Sequence, residues 1–190
     1  MNALRQTLAG LRVLVALTVL LGLAYPLVLT GIGQLAFHHA ANGSIVQRSG
    51  VDVGSSLIGQ EFTGEQWFHS RPSASGYDAL ASGGTNLGPS SPVLRRSIEK
   101  AKAQIARADG VAPDDVPAGA VTSSGSGLDP DISPAYADIQ VARVARARGL
   151  SVAAVGALVD EHTEGRVLGF LGEPVVNVLE LNLALQRAAG

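Results

Sequence analysis

Residues 13–37 read VLVALTVLLGLAYPLVLTGIGQLAF and contain no charged side chain between Arg12 and His38. At the rise of an α-helix this run spans roughly 37 Å, and the hydrocarbon core of a bilayer is about 30 Å thick. A signal peptide has a shorter apolar region, about 7–15 residues, that ends in small side chains, whereas Phe37 and two histidines end this run. The run therefore predicts one uncleaved transmembrane helix over residues 13–37.

Small residues and a proline interrupt the leucines and valines of this segment. Pro26 removes one backbone hydrogen bond and presses its ring toward the carbonyl of Gly22, so a kink is expected there. Gly31 and Gly33 allow a second helix to approach closely. Gly22, Pro26, Gly31 and Gly33 are therefore candidate contacts with partner helices, and a plain lipid-facing anchor is the alternative.

Positive charges near the segment indicate its orientation, because short cytoplasmic flanks carry an excess of Lys and Arg. Arg5, Arg12 and the terminal amine precede it, and Arg48 is the only cation among the thirty residues that follow. We therefore expect residues 1–12 to be a short cytoplasmic N-terminus. Residues 38–190, with four more acidic than basic side chains, are expected outside the cytoplasm.

The composition of the whole chain excludes several classes of protein. The 190 residues are 46% apolar and 16% charged, with 14 Lys and Arg against 16 Asp and Glu and no cysteine. The missing cysteines exclude disulfides, a thiolate nucleophile and Cys-ligated metal sites. The acidic balance argues against a nucleic-acid partner, because such proteins collect phosphates with a basic surface.

The chain behind the anchor combines weak strand signals with stronger helix signals. Short apolar runs predict brief strands at residues 44–47, 56–59 and 120–122. Two segments rich in Gly, Ser and Pro, residues 63–91 and 110–133, are expected to be long loops. The fold class that follows is a single N-terminal transmembrane helix and one mixed α+β extracytoplasmic domain.

Helices are predicted where serine, often with proline after it, precedes a periodic apolar stretch, and where glycine follows one. The expected helices run from Ser91-Pro92 to Gly110, from Ser133-Pro134 to Gly149, from Ser151 to Val159 and from Val175 to Arg187.

The second of these helices allows two buried stripes. One consists of Ile139, Ala142 and Ala145, and the other of Val141, Val144 and Ala145. Three arginines, Arg143, Arg146 and Arg148, are expected to gather toward the C-terminal end, where cations favour the helix dipole.

Motifs for independent catalysis do not occur. The sequence has no GxSxG, HExxH or GxxxxGK[ST], and its two lysines lie inside a predicted helix. We interpret the acidic cluster around His162 as a solvated helix end rather than a metal site, and Asp129 and Asp131 as turn residues. The aromatic stretch that begins at Trp67 and Phe68 is interpreted as part of the core. No catalytic residue and no metal ligand are therefore predicted.

One glycine-rich loop has the composition of a phosphate-binding loop. Adjacent glycines allow backbone N–H groups to converge on an anion, and neighbouring hydroxyls add donors. The candidate nucleotide-binding residues are Ser82, Gly83, Gly84, Thr85 and Asn86. A simple turn is the more common role of a Gly-Gly pair, so both interpretations stay open.

Several short motifs occur in one order along nearly the whole chain. They are Tyr25-Pro26-Leu27 and Thr30-Gly31, residues 41–44 (ANGS), 54–60 (GSSLIGQ), 68–74 (FHSRPSA), 82–89 (SGGTNLGP), 125–130 (GSGLDP), 140–145 (QVARVA), 172–177 (GEPVVN) and 181–185 (LNLAL). Behind a single N-terminal anchor, this set resembles the C subunit of the bacterial Kdp potassium-transporting P-type ATPases.

The resemblance implies a non-catalytic subunit of the bacterial inner membrane. Its implied partners are a channel-like potassium-binding subunit and an ATP-hydrolysing P-type subunit. The family's C subunit is described as a catalytic chaperone that binds ATP and raises the ATP affinity of the pump subunit through a segment similar to LSGGQ. Here that segment is Ser82 to Asn86, with Ala81 in place of the leucine and Thr85 in place of the glutamine.

The expected orientation conflicts with this role, because a loop outside the cytoplasm cannot touch ATP held inside it. Two mechanisms are therefore carried forward. One is a nucleotide-binding chaperone. The other is an anchored extracytoplasmic module that clamps a membrane partner without binding nucleotide, helped by the high effective concentration that a membrane anchor provides.

Overall fold

A computed structural model describes residues 2–189, and the chain divides into two compact units, Met1–Ile45 and Val46–Gly190. In the first unit, helix α1 (Asn2–Val19), a π-helical turn (Leu20–Ala24) and helix α2 (Tyr25–Ala36) follow without a break. Together they form one 35-residue helix that is long and apolar enough to cross a membrane. The helix predicted from residue 13 is thus confirmed, with additional turns at its N-terminal end.

The π-helical turn lies immediately before Pro26. Proline has no N–H to donate to the carbonyl of residue 22, so the regular hydrogen-bond ladder is interrupted at that point. A wider turn is one of the few ways in which a helix adjusts to such an interruption. The predicted distortion at Pro26 therefore takes the form of the turn over Leu20–Ala24.

The first unit ends in a short helix, α3 (His38–Ala41), which is tied to α2 by polar side chains. Asn42 donates from Nδ2 to the carbonyl of His38 at 2.6 Å and to Oε1 of Gln34 at 3.1 Å. These bonds tie α3 to the C-terminal end of α2.

The strands of the chain form two small sheets. Strand β1 (Ile45–Arg48) pairs with β2 (Val51–Ser55), and a three-stranded antiparallel sheet has the order β3-β5-β4. Its strands are β3 (Asp131–Ile132), β4 (Thr163–Glu164) and β5 (Val175–Asn177). Val176, in the central strand, is fully buried and lies opposite Ile132 on one side and Thr163 on the other.

Two of the three predicted strands are wrong. The strand expected at 44–47 is confirmed as β1, but residues 56–59 form a turn, and residues 118–121 form a short helix, α5 (Ala118–Val121). Gly59 explains the first error, because its N–H donates to the carbonyl of Leu128 at 2.8 Å in a contact with a distant segment. The second error arises because a three-residue apolar run fits a helix as well as a strand.

The predicted helices are confirmed with small changes in their bounds. They are α4 (Pro92–Asp109), α6 (Pro134–Arg148), α7 (Val152–Glu161) and α8 (Val178–Ala188). Ser91, Ser133 and Ser151 each accept a hydrogen bond from the N–H three residues later, as an N-cap does. The terminal helix begins at Val178 rather than Val175, because the three preceding residues pair as β5.

The core of the second unit lies between α6, α7, α8 and the central strand. Val141, Val144 and Ala145 form the buried stripe of α6, so the second of the two predicted stripes is confirmed. Arg146 and Arg148 lie in the last turn of α6, as expected, whereas Arg143 lies before that turn and is only 2% exposed. Other fully buried members of the core are Phe68, Ala120, Ala137, Val155, Leu181 and Leu185.

Of the two long loops predicted from the sequence, the first is confirmed and the second is confirmed only in part. Residues 56–91, all of which the structure describes, contain neither helix nor strand. The second expected loop, residues 110–133, contains a 3-10 turn (Pro113–Asp115), α5 and β3. The extended segment 56–91 therefore depends on contacts with the helices for its shape.

Candidate functional site

The glycine-rich loop at residues 82–86 lies against a second glycine-rich turn, residues 124–127. The N–H of Gly83 donates to the carbonyl of Ser126 at 2.7 Å, and the hydroxyl of Ser82 donates to the same oxygen at 3.1 Å. A Cβ on Gly84 would lie 3.0 Å from the carbonyl oxygen of Gly125. The predicted site residues therefore lie in one surface loop. The close approach of the Gly125 backbone explains why residue 84 is a glycine.

The turn at Gly127 is held from the other side as well. Gly127 has φ +71°, and a Cβ there would lie 2.8 Å from both the carbonyl of Gly83 and the hydroxyl of Ser75. The hydroxyl of Ser73 donates to the carbonyl of Gly127 at 2.6 Å. Glycine is required at this position by both its backbone angle and the space available.

The geometry of the loop differs from that of a phosphate nest. A nest requires free consecutive N–H groups with alternating right-handed and left-handed backbone angles. Here the left-handed residue is Asn86, with φ +53°, whereas neither Gly83 nor Gly84 has a positive φ, and the N–H of Gly83 is already bonded. Thr85 and Asn86 are exposed at the surface.

An ion pair joins the segment after Phe68 to the turn before β3. Arg71 donates to Asp129 Oδ2 at 2.8 Å, and Asp129 Oδ1 accepts from the N–H of Asp131 at 3.1 Å. The second contact confirms the interpretation of Asp129 as a turn residue, but the same interpretation of Asp131 is wrong, because Asp131 pairs with Asn177 in strand β3. Burial, with a smaller contribution from Asp129, raises the pKa of Asp131 above its ordinary value.

The aromatic segment around residue 68 belongs mainly to the core, as predicted. Phe68 is fully buried, and Trp67 lies under the guanidinium of Arg148, whose Cζ is 4.1 Å from the ring centroid. Burial lowers the pKa of Arg148. A cation over an indole ring is a favourable contact, so Trp67 and Arg148 fix this part of the loop on α6.

Two buried amide side chains, which the sequence pattern did not single out, hold the same segment. Asn182 on α8 bonds to the N–H and the carbonyl of Phe68, and Gln140 on α6 bonds to the N–H and the carbonyl of His69. Both amides are at most 1% exposed. Both residues stand in motifs of the ordered set, QVARVA at 140–145 and LNLAL at 181–185, but no pattern there shows which backbone groups they bind.

Arg143 completes this buried network. It donates to Oδ1 of Asp109 at 2.6 Å, to the carbonyls of Glu65 and Trp67 at 2.7 and 2.9 Å, and to Oε1 of Gln140 at 2.9 Å. A buried charge is tolerated only when it is paired and hydrogen-bonded, and here both conditions hold. The network therefore positions the loop rather than presenting a reactive group.

His69 is the histidine closest to this network. Its Nε2 lies 2.9 Å from the carbonyl of Gly64, which requires the proton on Nε2. Burial lowers the pKa of His69, and the charge of Arg143 lowers it further. His69 is therefore neutral at pH 7 and serves as a hydrogen-bond donor.

A metal centre is not formed within residues 2–189, because no group of three His, Asp or Glu side chains there converges on one point. In the acidic cluster near the end of α7, His162 Nδ1 lies 2.9 Å from the carbonyl of Leu158 and so closes its own helix. These contacts agree with the interpretation of the cluster as a helix end.

The four membrane-segment positions have different surroundings. A Cβ on Gly22 would lie 3.9 Å from Thr18, and one on Gly33 would lie 3.6 Å from Ala41 of α3. A Cβ on Gly31 would meet nothing within 4 Å. The space beside Gly33 is therefore bounded by Ala41, at an ordinary contact distance, whereas Gly31 leaves open space on the helix surface. Packing against partner helices remains a prediction for these positions.

Comparison with known proteins identifies relatives over nearly the full length. The family model described as KdpC: K+-transporting ATPase, c chain, matches residues 7–187. A protein of Kineococcus radiotolerans is 58% identical over 190 residues, covering 99% of this chain and 96% of the relative. A Streptomyces coelicolor protein is 50% identical over 210 residues, covering 97% and 93%.

A Mycobacterium tuberculosis protein is 48% identical over 186 residues, covering 96% of this chain and 98% of the relative. All three relatives carry the name Potassium-transporting ATPase KdpC subunit. Matches of this identity and coverage confirm the resemblance, and the chain belongs to the KdpC family of K+-transporting ATPase subunits.

Proposed function

We propose that the chain is a non-catalytic accessory subunit of a bacterial potassium-transporting ATPase. Family membership over residues 7–187 supports this role, together with the candidate membrane helix at the N-terminus. Its partners are a channel-like potassium-binding subunit and an ATP-hydrolysing P-type subunit. These partners move potassium and hydrolyse ATP, and the present chain stabilises their assembly.

Residues 13–37 cross the bacterial inner membrane once in this proposal. Residues 1–12 are cytoplasmic and residues 38–190 lie outside the cytoplasm. The distribution of cations supports this orientation, since Arg5 and Arg12 precede the apolar segment and only Arg48 follows it closely.

The outer domain acts as a clamp rather than as a nucleotide site. The observation that carries this choice is the hydrogen bond from the N–H of Gly83 to Ser126, because a phosphate would have to break it. Residues 82–86 themselves contain no cationic side chain, and Arg71, on the neighbouring segment, is engaged by Asp129. A clamp needs only a folded surface and an anchor.

Sidedness tests the orientation directly, and the cysteine-free sequence makes the test clean. Single cysteines are placed at Thr85 in the loop and at Thr7 before the span, and intact spheroplasts are treated with a membrane-impermeant maleimide. Labelling of Thr85→Cys and not of Thr7→Cys supports the clamp. The reverse pattern overturns the orientation and restores the catalytic chaperone.

Nucleotide binding is tested separately with the full-length chain in detergent. The double variant Ser82→Ala, Gly83→Val removes a hydroxyl and fills the space at the loop. If the family's ATP role applies here, wild-type protein binds ATP and the variant does not. The clamp predicts no saturable ATP binding by either protein, while both still co-purify with the other subunits.

A further inference from the structure

Strands β4 and β5 belong to a hairpin that extends well beyond the sheet. Thr163 pairs with Val176 and Glu164 with Val175. Pairing resumes farther out, where Val167 and Leu171 exchange two backbone hydrogen bonds of 2.9 and 3.0 Å. The base of the hairpin is fixed in the core through Val176, which is fully buried.

The outer end is apolar and exposed. Its four apolar side chains, called the apolar tip from here on, are exposed to 67%, 80%, 69% and 49% in the order Val167, Leu168, Phe170, Leu171. Single exposed apolar residues are ordinary on protein surfaces, but four within five consecutive positions form a patch. Such patches mark interaction sites more often than they serve folding.

The backbone angles of the apolar tip also indicate a role in binding a partner. Leu168 has φ +54° and Gly169 has φ +82°. Two left-handed residues in a hairpin turn favour Asn-Gly, and leucine is disfavoured there. Neither the turn nor the core benefits from leucine at this position, so its side chain serves something outside the domain.

The charges around the apolar tip decide which partner fits. Arg166 is paired with Glu173 at 2.8 Å, and three further exposed carboxylates, Asp160, Glu161 and Glu164, lie near the base of the hairpin. Segments that lie on bilayers carry Lys and Arg toward anionic headgroups, and the base of this hairpin has the opposite sign. A protein surface with basic residues around an apolar pocket is complementary to it.

We infer that the apolar tip inserts into an apolar pocket, rimmed by Lys or Arg, on another subunit of the transporter. The inference rests on the proposed accessory role and assigns the outer contact of that role to Leu168 and Phe170. The acidic hairpin base faces the basic rim and sets the orientation of the contact, as charges at the edge of an interface do.

Photocrosslinking identifies the occupant in the assembled complex. Benzoylphenylalanine replaces Phe170 in full-length chain produced together with the other subunits, and replaces Leu80, which is 97% exposed, in the control. A crosslink to one transporter subunit from position 170 and none from position 80 is the expected result. Crosslinks to lipid alone, to a second copy of this chain, or to nothing would overturn the inference.

A substitution that suits the turn keeps the test free of folding defects. Leu168→Asn introduces the residue that the left-handed position prefers, so the hairpin is retained. We expect the amount of partner subunits that stays bound after stringent washing to fall about tenfold or more. Truncation of a central apolar contact has effects of this size. Leu80→Asn serves as the control and should retain the partners.

The accessory role and the assignment of the apolar tip are contradicted by different results. If wild-type chain does not co-purify with transporter subunits at all, the accessory role itself is wrong. If wild-type chain co-purifies and Leu168→Asn does so equally well, the accessory role stands and the assignment of the apolar tip is wrong.

Discussion

The side-chain amide of Asn182 pairs with the backbone of Phe68 through two hydrogen bonds, at 2.9 Å from the N–H and 3.0 Å to the carbonyl. Gln140 pairs in the same way with His69, at 2.7 and 3.2 Å. Helices α8 and α6 thus satisfy two adjacent peptide groups of a segment that has no regular structure. The amides take the place of a neighbouring strand, because buried backbone groups must be paired.

Substitution of Asn182 by leucine should destabilise the domain strongly. The new side chain has a similar size but leaves the buried N–H and carbonyl of Phe68 without partners, which costs about 2–5 kcal/mol in total. Denaturation of the full-length chain in detergent, followed by fluorescence of the single tryptophan, Trp67, measures this change. Arg187→Leu, on the exposed face of α8, is the control. A loss below about 0.5 kcal/mol would show that the amide pairing is not needed.

Replacement of Arg143 by methionine should cost about 3–5 kcal/mol of unfolding free energy. The substitution keeps the aliphatic part of the side chain but leaves the carboxylate of Asp109, which is 7% exposed, buried without its partner. Arg146→Met is the control, because Arg146 lies about one turn later in α6 and is exposed. Its free energy of unfolding should stay within about 0.5 kcal/mol of the wild-type value. Equal losses in the two variants would contradict a specific role for the buried ion pair.

Local signals explain why the helices were predictable. The caps at Ser91, Ser133 and Ser151 depend on contacts within three residues, and the αL glycines at 110 and 149 end their helices locally. The transmembrane segment is equally local, because only its length and apolar composition matter.

The remaining features depend on contacts between distant segments. Gly59 forms a turn rather than a strand because its backbone meets that of Asp129, where a Cβ would lie 2.3 Å from the carbonyl oxygen. The loop containing Gly83 was recognisable as a motif, but its partner, Ser126, lies in a separate turn. The pattern within α6 predicts Arg143 toward the helix end because it does not show that Asp109 of α4 lies beside it.

Acid should destabilise the second unit through His69. Its pKa is lowered in the folded state, chiefly by burial, whereas in the unfolded chain it has the ordinary value of 6.5. Below pH 6.5 the unfolded chain therefore binds a proton that the folded domain does not, so stability falls with pH until the folded pKa is passed. Denaturation curves of wild type and His69→Gln between pH 7.5 and about pH 5 measure this effect. The difference in unfolding free energy between the two proteins should change over this range; a constant difference would contradict the assignment.

The two glycine turns should respond differently to alanine. Gly127→Ala places a Cβ 2.8 Å from the carbonyl of Gly83 at φ +71°, so we expect a loss of about 1–3 kcal/mol. Gly83→Ala adds a Cβ that meets nothing within 4 Å and should change stability by less than about 0.5 kcal/mol. Denaturation followed by Trp67 fluorescence compares them. The packing described for these turns would be wrong if Gly83→Ala proved the more damaging substitution.

Gly31 offers the sharpest test of helix packing within the membrane. A side chain there meets nothing in the chain itself, so Gly31→Leu leaves the long helix intact and changes only its outer surface. If a partner helix packs against this face, leucine separates the backbones, and recovery of the other subunits should fall several-fold, equivalent to about 1 kcal/mol.

Gly10→Leu is the matched control, because its added side chain also meets open space but lies before the apolar run. Gly33→Leu is less informative, since it would also disturb the contact with Ala41. Normal recovery with Gly31→Leu would place this face of the helix against lipid and leave the second unit as the main site of assembly.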